Sequence, residues 1–456
     1  MVKPIAVAMV AVFAAGCAGN NGVEACSIPS GGEPPPSLSA STAPAPAAPP
    51  STPAAPVSSA APTVDPVDAL HRSAIVIDTH DDVTQRLVNE GTDLGVRQTE
   101  GQTDVPRMVE GGLDAEFLSV WVPPQLFPKD AAYTHSIAEF DAIDAFLSHH
   151  TDTTVLATTA AGVRAGAAQG KTVFLIGVEG GHSLGEGTDD KLIGRLKEFF
   201  QRGARYMTLT WSNSNRLGGS SGDAGKTKGL TPFGRRVVKE MNALGMMVDI
   251  SHVSDATFFD AVKASRLPVI ASHSSSRALA DRPRNMTDDM LRAVAANGGA
   301  VCVNFGPEFL DAHWHEASEA VQKEAGFDPV KVIKEHGADT KAAQLALWAQ
   351  FRELARKVPP VPASVVIDHI EHITKVAGVD HVCIGSDFDG IPIGPAGLDD
   401  VSQFPYVTHE LVRRGWSPDD VKKVLGENVL RVMEANEHGA TEHGDTARAE
   451  GHGSPP

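Results

Sequence analysis

Ala74-Ile75-Val76-Ile77-Asp78 runs directly into Thr79-His80-Asp81-Asp82, an apolar β-rich run ending in a polar cluster. The pattern recurs. Further apolar runs lie at Phe117 to Val122, Thr172 to Val178, Arg205 to Thr210 and Met246 to Ile250, then at Pro268 to Ala271, Gly299 to Phe305 and His381 to Gly385. Each is nearly continuous in apolar residues, as a strand covered on both faces must be. Helical patterns separate them, among them Leu192 to Arg202, Pro232 to Leu244, Ala256 to Ala264 and Asp288 to Ala296. Eight strands alternating with helices predict an α/β fold, a (β/α)8 TIM-like barrel. A doubly wound open sheet competes, but no Gly-rich nucleotide fingerprint follows the first strand. Glu308 to Pro362 is long for one connection. Its helical pattern over Ala342 to Lys357 predicts a helical insertion between strands 7 and 8. Near the end, Ser417 can cap a helix that starts at Pro418, and Asp419-Asp420 suit its dipole.

Outside the barrel the chain changes character. Residues 1–17 read MVKPIAVAMVAVFAAGC, one Lys before an apolar run of about a dozen residues. That is shorter than the ~20 residues of a membrane span and fits a secretory signal peptide. Its Ala15-Gly16-Cys17 ending resembles a bacterial lipobox, which would make Cys17 a lipid anchor to the membrane of the cell envelope. Without lipidation the chain would be secreted or periplasmic. Residues 18–66 form a Pro/Ala/Ser-rich linker, with 12 of the 31 prolines between 29 and 66. Such a segment buries too little apolar surface to order itself and acts as a spacer. The domain is expected over 67–436, and 437–456 as a disordered tail. The formal net charge of −18 argues against nucleic acid and against electrostatic docking on anionic lipid. Four cysteines are too few for a disulfide scaffold, and Cys302 and Cys383 read as buried free thiols.

Chemistry in such a barrel belongs at the C-terminal strand ends. Five of them present His, Asp or Glu. His80 and Asp82 follow the first run, Glu179 and His182 the third, His252 the fifth, His273 the sixth and Asp387 the eighth. A lone His at such a place is more often a hydrogen-bonded core residue. Several carboxylates packed together would raise one another's pKa, and divalent cations remove that conflict. Neutral imidazoles with carboxylates suit Zn²⁺.

These residues resemble the membrane dipeptidase family, zinc-dependent dipeptidases within the amidohydrolase-type barrels. The matching stretches are Val76 to Asp82, Gly177 to Leu184 (GVEGGHSL), Arg205 to Thr210 (RYMTLT) and Gly229 to Gly234 (GLTPFG). They continue with Asp249 to Ser254 (DISHVS), Pro268 to Ser275 (PVIASHSS), Arg284-Asn285 with Asp288-Asp289, and Ile384 to Gly390 (IGSDFDG). Their order spans residues 68 to 435. The resemblance implies two Zn²⁺ per chain, one held by His80 and Asp82, the other by His252 and His273, with Glu179 as the bridging, catalytic carboxylate. It implies that Arg284 holds the substrate carboxylate and that Asp387 assists proton transfer, while a bridging hydroxide attacks the peptide bond of a dipeptide. Tolerance of a C-terminal D residue and a homodimer are family expectations too. The chain departs from the family at Trp211, where the family often has His in contact with substrate. Indole donates but cannot carry a proton, so Asn213 or Asn215 is expected to lend a donor there. His182 is expected to make only a structural hydrogen bond.

The resulting expectation is an exported metallo-dipeptidase acting on small dipeptides. Trp211 keeps open a binuclear amidohydrolase acting on another small amide or an N-acyl amino acid. A third reading, a binding lipoprotein on a degenerate barrel, finds no expected ligand missing.

Overall fold

The structure is a computed structural model that describes residues 65–223 and 228–450, with side chains to residue 440. The signal segment, Cys17 and the linker up to residue 64 lie outside the described residues, as do 451–456. Among the described residues there are nine strands: β1 (Ile77–Asp81), β2 (Ala115–Trp121), β3 (Thr154–Leu156), β4 (Thr172–Glu179), β5 (Ala204–Thr208), β6 (Met247–Asp249), β7 (Ile270–Ala271), β8 (Ala300–Val303) and β9 (Val382–Ile384). Eight pair in parallel in the order β1-β2-β4-β5-β6-β7-β8-β9. The ring closes where Asp82 N–H donates to Phe388 O (2.9 Å) and Asp387 N–H to His80 O (3.0 Å). These eight are the runs read from the sequence, so the (β/α)8 barrel stands. The ninth, β3, pairs with the start of β4 outside the ring. Its three residues are too few to show a period.

Strand alternation sorts the core into two parts. Ile77, Phe117, Leu175, Tyr206, Met247 and Cys302 point into the barrel, where Val429, Leu430 and Met433 of the last helix join them. Val76, Leu118, Ile176, Met207, Val248 and Val301 point outward and pack against the surrounding helices. Polar residues at the far ends of the strands are therefore held on a rigid ring.

Two expectations are corrected. Cys302 and Cys383 are not free thiols; a disulfide joins them inside the barrel. They are register partners on neighbouring strands β8 and β9, and both side chains point inward. Sequence showed two apolar runs 81 residues apart and not their pairing. The tail does not begin at 437, because the last helix runs Asn428–Glu450. Glu437 Oε1 accepts from Ala160 N (2.8 Å) and Gly439 O from Arg266 Nη2 (3.0 Å), contacts from elsewhere in the chain that hold the helix down.

The insertion between β8 and β9, the seventh and eighth strands of the ring, is helical as expected. It contains Ala312–Glu324, Pro329–His336 and Thr340–Ala355. The N-cap at Ser417 is also present, accepting from Asp420 N (3.2 Å) ahead of helix Pro418–Lys422. No described helix is long and apolar enough to cross a membrane.

Candidate metal centre

The site begins with an irregularity in β1. Asp78 pairs with Glu116, but the next pair is Asp81 with Leu118, so three steps on β1 match two on β2. A bulge of this kind re-aims side chains. Here it turns both Thr79, whose hydroxyl donates to Ser272 O and Ile384 O, and His80 toward the barrel mouth. His80 Nε2 lies 3.8 Å from Asp82 Oδ1, 3.8 Å from Glu179 Oε2 and 4.0 Å from Asp387 Oδ1. Across the mouth, Glu179 Oε1 is 2.8 Å from His252 Nε2 and 3.5 Å from His273 Nε2. The five expected ligands and Asp387 thus converge from β1, β4, β6, β7 and β9. His252 and Asp387 hold φ of 63° and 65°. Residues with side chains rarely adopt that region, at a cost of roughly 1–3 kcal/mol each.

A second layer sets which ring nitrogen faces inward. Tyr206 OH donates to Thr79 O (3.0 Å), so at 2.8 Å it accepts from His80 Nδ1–H. Ser272 Oγ donates to Asp249 Oδ2 (2.6 Å), so at 2.8 Å it accepts from His273 Nδ1–H. Both rings therefore turn a bare Nε2 lone pair into the site, as metal-ligating histidines do. Thr208 holds Asp249 as well. Asn304 Nδ2 donates to Asp387 Oδ2 (2.8 Å), leaving Oδ1 toward His80.

The donor set fits cations. His80 Nε2, Asp82 Oδ1 and Glu179 Oε2 are buried without a hydrogen-bond partner. His252 Nε2 and His273 Nε2 stand 3.0 Å apart. Burial holds the imidazoles neutral, His80 down to about 3 and the other two well below their usual value. Burial, then neighbouring carboxylates, push Glu179 and Asp387 well up, and burial takes Asp82 to about 7. Carboxylates facing bare imidazole lone pairs at these distances repel unless positive charge sits among them. Two overlapping groups, His80–Glu179–His273 and His80–Asp82–Asp387, each bring ligand atoms within 4.8 Å of one another. Nitrogen and oxygen donors in this mixture are those of divalent zinc sites.

A cavity of about 180 Å³ opens over the centre, walled by Trp121, Trp211, Phe309, Phe327, Trp348 and Phe351. Phe327, Trp348 and Phe351 come from the insertion, which covers the site. The Trp211 ring packs 5.1 Å from that of Trp121. Arg284 is buried, and its Nη1 donates to Ser274 Oγ (2.7 Å). Its Nε and Nη2 have no hydrogen-bond partner.

The asparagines do not replace the family histidine. Asn215 donates to Leu209 O and accepts from Leu217 N. Asn213 and Asn215 line a different cavity; the turn needs one amide, and the chain carries both past the mouth. His182 Nε2 donates to Val122 O (2.8 Å), the structural bond expected of it. Spacing missed Tyr206, Asp249, Ser272 and Asn304. Their only signal is a polar atom within an apolar run.

A family model described as membrane dipeptidase, peptidase family M19, matches residues 64–445. Among solved structures, a metallopeptidase from Rhodobacter sphaeroides, liganded with a phosphinate mimic of the dipeptide L-Ala-D-Ala, is 26% identical. It has a TM-score of 0.64, with 80% of this chain and 99% of that one covered. Dipeptidase AC, an M19 metallopeptidase, is 26% identical at TM-score 0.64, covering 80% and 98%. The probable dipeptidase PvdM from Pseudomonas aeruginosa shares the fold at TM-score 0.70 and 24% identity, covering 82% and 98%. The chain belongs to the membrane dipeptidase family, peptidase family M19.

Proposed function

We propose that this chain is an exported dizinc dipeptidase that cleaves dipeptides, including those ending in a D residue. The observation that carries the reading is the buried set His80, Asp82, Glu179, His252 and His273, with orphaned ligand atoms, beside a buried arginine whose fork is free on one edge. This set would hold two zinc ions, which would supply a water of lowered pKa and a Lewis acid for the scissile carbonyl.

The chain's own residues do the rest. Arg284 Nε and Nη2 pair with the substrate carboxylate bidentately. Asp387, oriented by Asn304, takes a proton at Oδ1 and passes it to the leaving amine. Trp121, Trp211 and the insertion's aromatic side chains exclude water and leave room for short substrates only. Recognition of the ends, not the side chains, accommodates a C-terminal D residue, and the neighbour that holds an L-Ala-D-Ala mimic supports this. Export is supported by the apolar leader and by a disulfide in the barrel, since such bonds persist in oxidising compartments. Cys17 is the proposed lipid anchor; Cys17→Ala should move the protein from the membrane fraction to the soluble one.

The deciding experiment is hydrolysis of L-L and L-D dipeptides by the full-length protein, with metal analysis, beside Glu179→Gln. Two zinc per chain with turnover, both reduced in the variant, support the reading. Zinc without turnover of any dipeptide would overturn it. Trp211 in place of histidine favours a second reading, hydrolysis of another small amide. A dipeptide and its C-terminal amide separate the two, since only the first uses Arg284.

A further inference from the structure

The cavity over the metal centre holds a carboxyl group that the centre does not use. Of the acidic residues lining it, Asp82, Glu179 and Asp387 belong to the candidate ligand groups and Glu308 does not. Glu308 enters from the first turn of the short helix Pro307–Leu310, next to Phe309. Its Oε2 is buried and has no hydrogen-bond partner. A buried carboxylate oxygen without a donor is costly, and a ligand cation offsets that cost. Phe309, Phe327, Trp348 and Phe351 line the surrounding wall, and aromatic rings attract positive charge, as Arg284 over Phe309 and Arg352 over Trp348 already do. Arg282 and Arg284 act on Glu308 electrostatically, and burial outweighs them to push its pKa up to about 7. Arg284 itself lies over the Phe309 ring, 5.6 Å from its centre. Glu308 lines the cavity and Arg284 lies against its Phe309 wall, so a guanidinium and a carboxylate stand close together, the complement of a zwitterion.

We propose that Glu308 is a specificity residue that receives an ammonium group of the substrate, while Arg284 receives its carboxylate. This rests on the dipeptidase reading above. The ammonium is either the α-amine that every dipeptide carries or a basic side chain.

The test uses full-length, zinc-loaded wild type, Glu308→Gln and Glu308→Asp. The substrates are Leu-Leu, Lys-Leu and Leu-Lys, with N-acetyl-Leu-Leu as a competitive inhibitor. Zinc content and circular dichroism show that each variant is folded. The expected result is a KM raised roughly ten- to hundredfold in Glu308→Gln, with kcat little changed and partial recovery in Glu308→Asp. The inhibition constant of N-acetyl-Leu-Leu stays the same. A loss that includes Leu-Leu identifies the α-amine; a loss confined to Lys-Leu or Leu-Lys identifies the side chain. Unchanged KM for all three substrates would overturn the proposal. So would an equal loss for N-acetyl-Leu-Leu, because Glu308 would then act by positioning Arg284. Absence of wild-type turnover would instead overturn the dipeptidase reading. Direct binding of Leu-Leu against N-acetyl-Leu-Leu would still read the role of Glu308.

Discussion

The Nε2 lone pair of His80 is free because a phenol, Tyr206, holds the other ring nitrogen. Tyr206→Phe keeps the ring packed against Phe117 and removes that acceptor together with the hydroxyl's donation to Thr79 O. Zinc affinity should fall about 10–100-fold, as for other partners of metal-bound histidines, read by chelator competition. An unchanged affinity would show that the ring is oriented by packing alone. Arg284→Lys exchanges a fork for a point charge. Its KM for dipeptides should rise roughly tenfold or more, while hydrolysis of a dipeptide amide should not change. At this scale the ligands were legible because His, Asp and Glu are conspicuous after apolar runs. Arg284 was not, since it follows no strand and reads as a surface arginine; only the family resemblance singled it out. Tyr206 lies inside a strand and reads as core.

Helix Ser364–Ala377 packs behind the loop that follows His273, and His369 is the joint. Its Nδ1 accepts from Ser276 N (3.0 Å) and its Nε2 donates to Leu310 O (3.1 Å). Burial lowers its pKa from 6.5 to about 4. Above pH 6.5 the ring is neutral folded or unfolded, and its stabilisation is complete. As pH falls from 6.5 toward 4 the unfolded chain binds the proton first, so stability is lost through that window. Between pH 7 and pH 5 the loss from this group should be about 2 kcal/mol. Urea unfolding of zinc-free wild type beside His369→Gln checks it; equal pH slopes would remove His369 as the cause. The last helix gives a second expectation. Ending the chain at Asn436 deletes the Glu437 and Gly439 contacts and should lower stability by about 2 kcal/mol, seen as an earlier urea midpoint. The element reading missed β3 and the reach of the last helix for different reasons. β3 is too short to show a period. The last helix is Gly- and His-bearing, and is held by contacts from distant parts of the chain.

The barrel as a whole is fastened by Cys302–Cys383, which closes an 81-residue loop containing the entire insertion. Chain-entropy arguments set its stabilisation at about 4 kcal/mol. The double change Cys302→Ser and Cys383→Ser should lower the unfolding free energy by up to that amount. Reductant should not destabilise the double variant further. Asn304 lies two residues beyond Cys302 and Asp387 four beyond Cys383, so the same variant tests whether the bond also steadies that pair. A kcat that falls while zinc content holds would say that it does.

The order of strands and helices, the chemistry gathered at the strand ends and the helical character of the insertion are all local patterns of apolarity and residue type. The amino-acid sequence carries them without help, because alternation and helical period are properties of neighbouring residues. Which strands stand side by side is a different kind of fact. Register puts Cys302 opposite Cys383. The bulge in β1 turns His80 inward, and ring closure brings Asp387 to His80 from more than 300 residues away. The bare imidazole nitrogens, the unpaired edge of Arg284 and the unused carboxylate of Glu308 depend on what surrounds each atom after closure. Burial and hydrogen-bond satisfaction are properties of the packed chain, so only the tertiary structure could decide them.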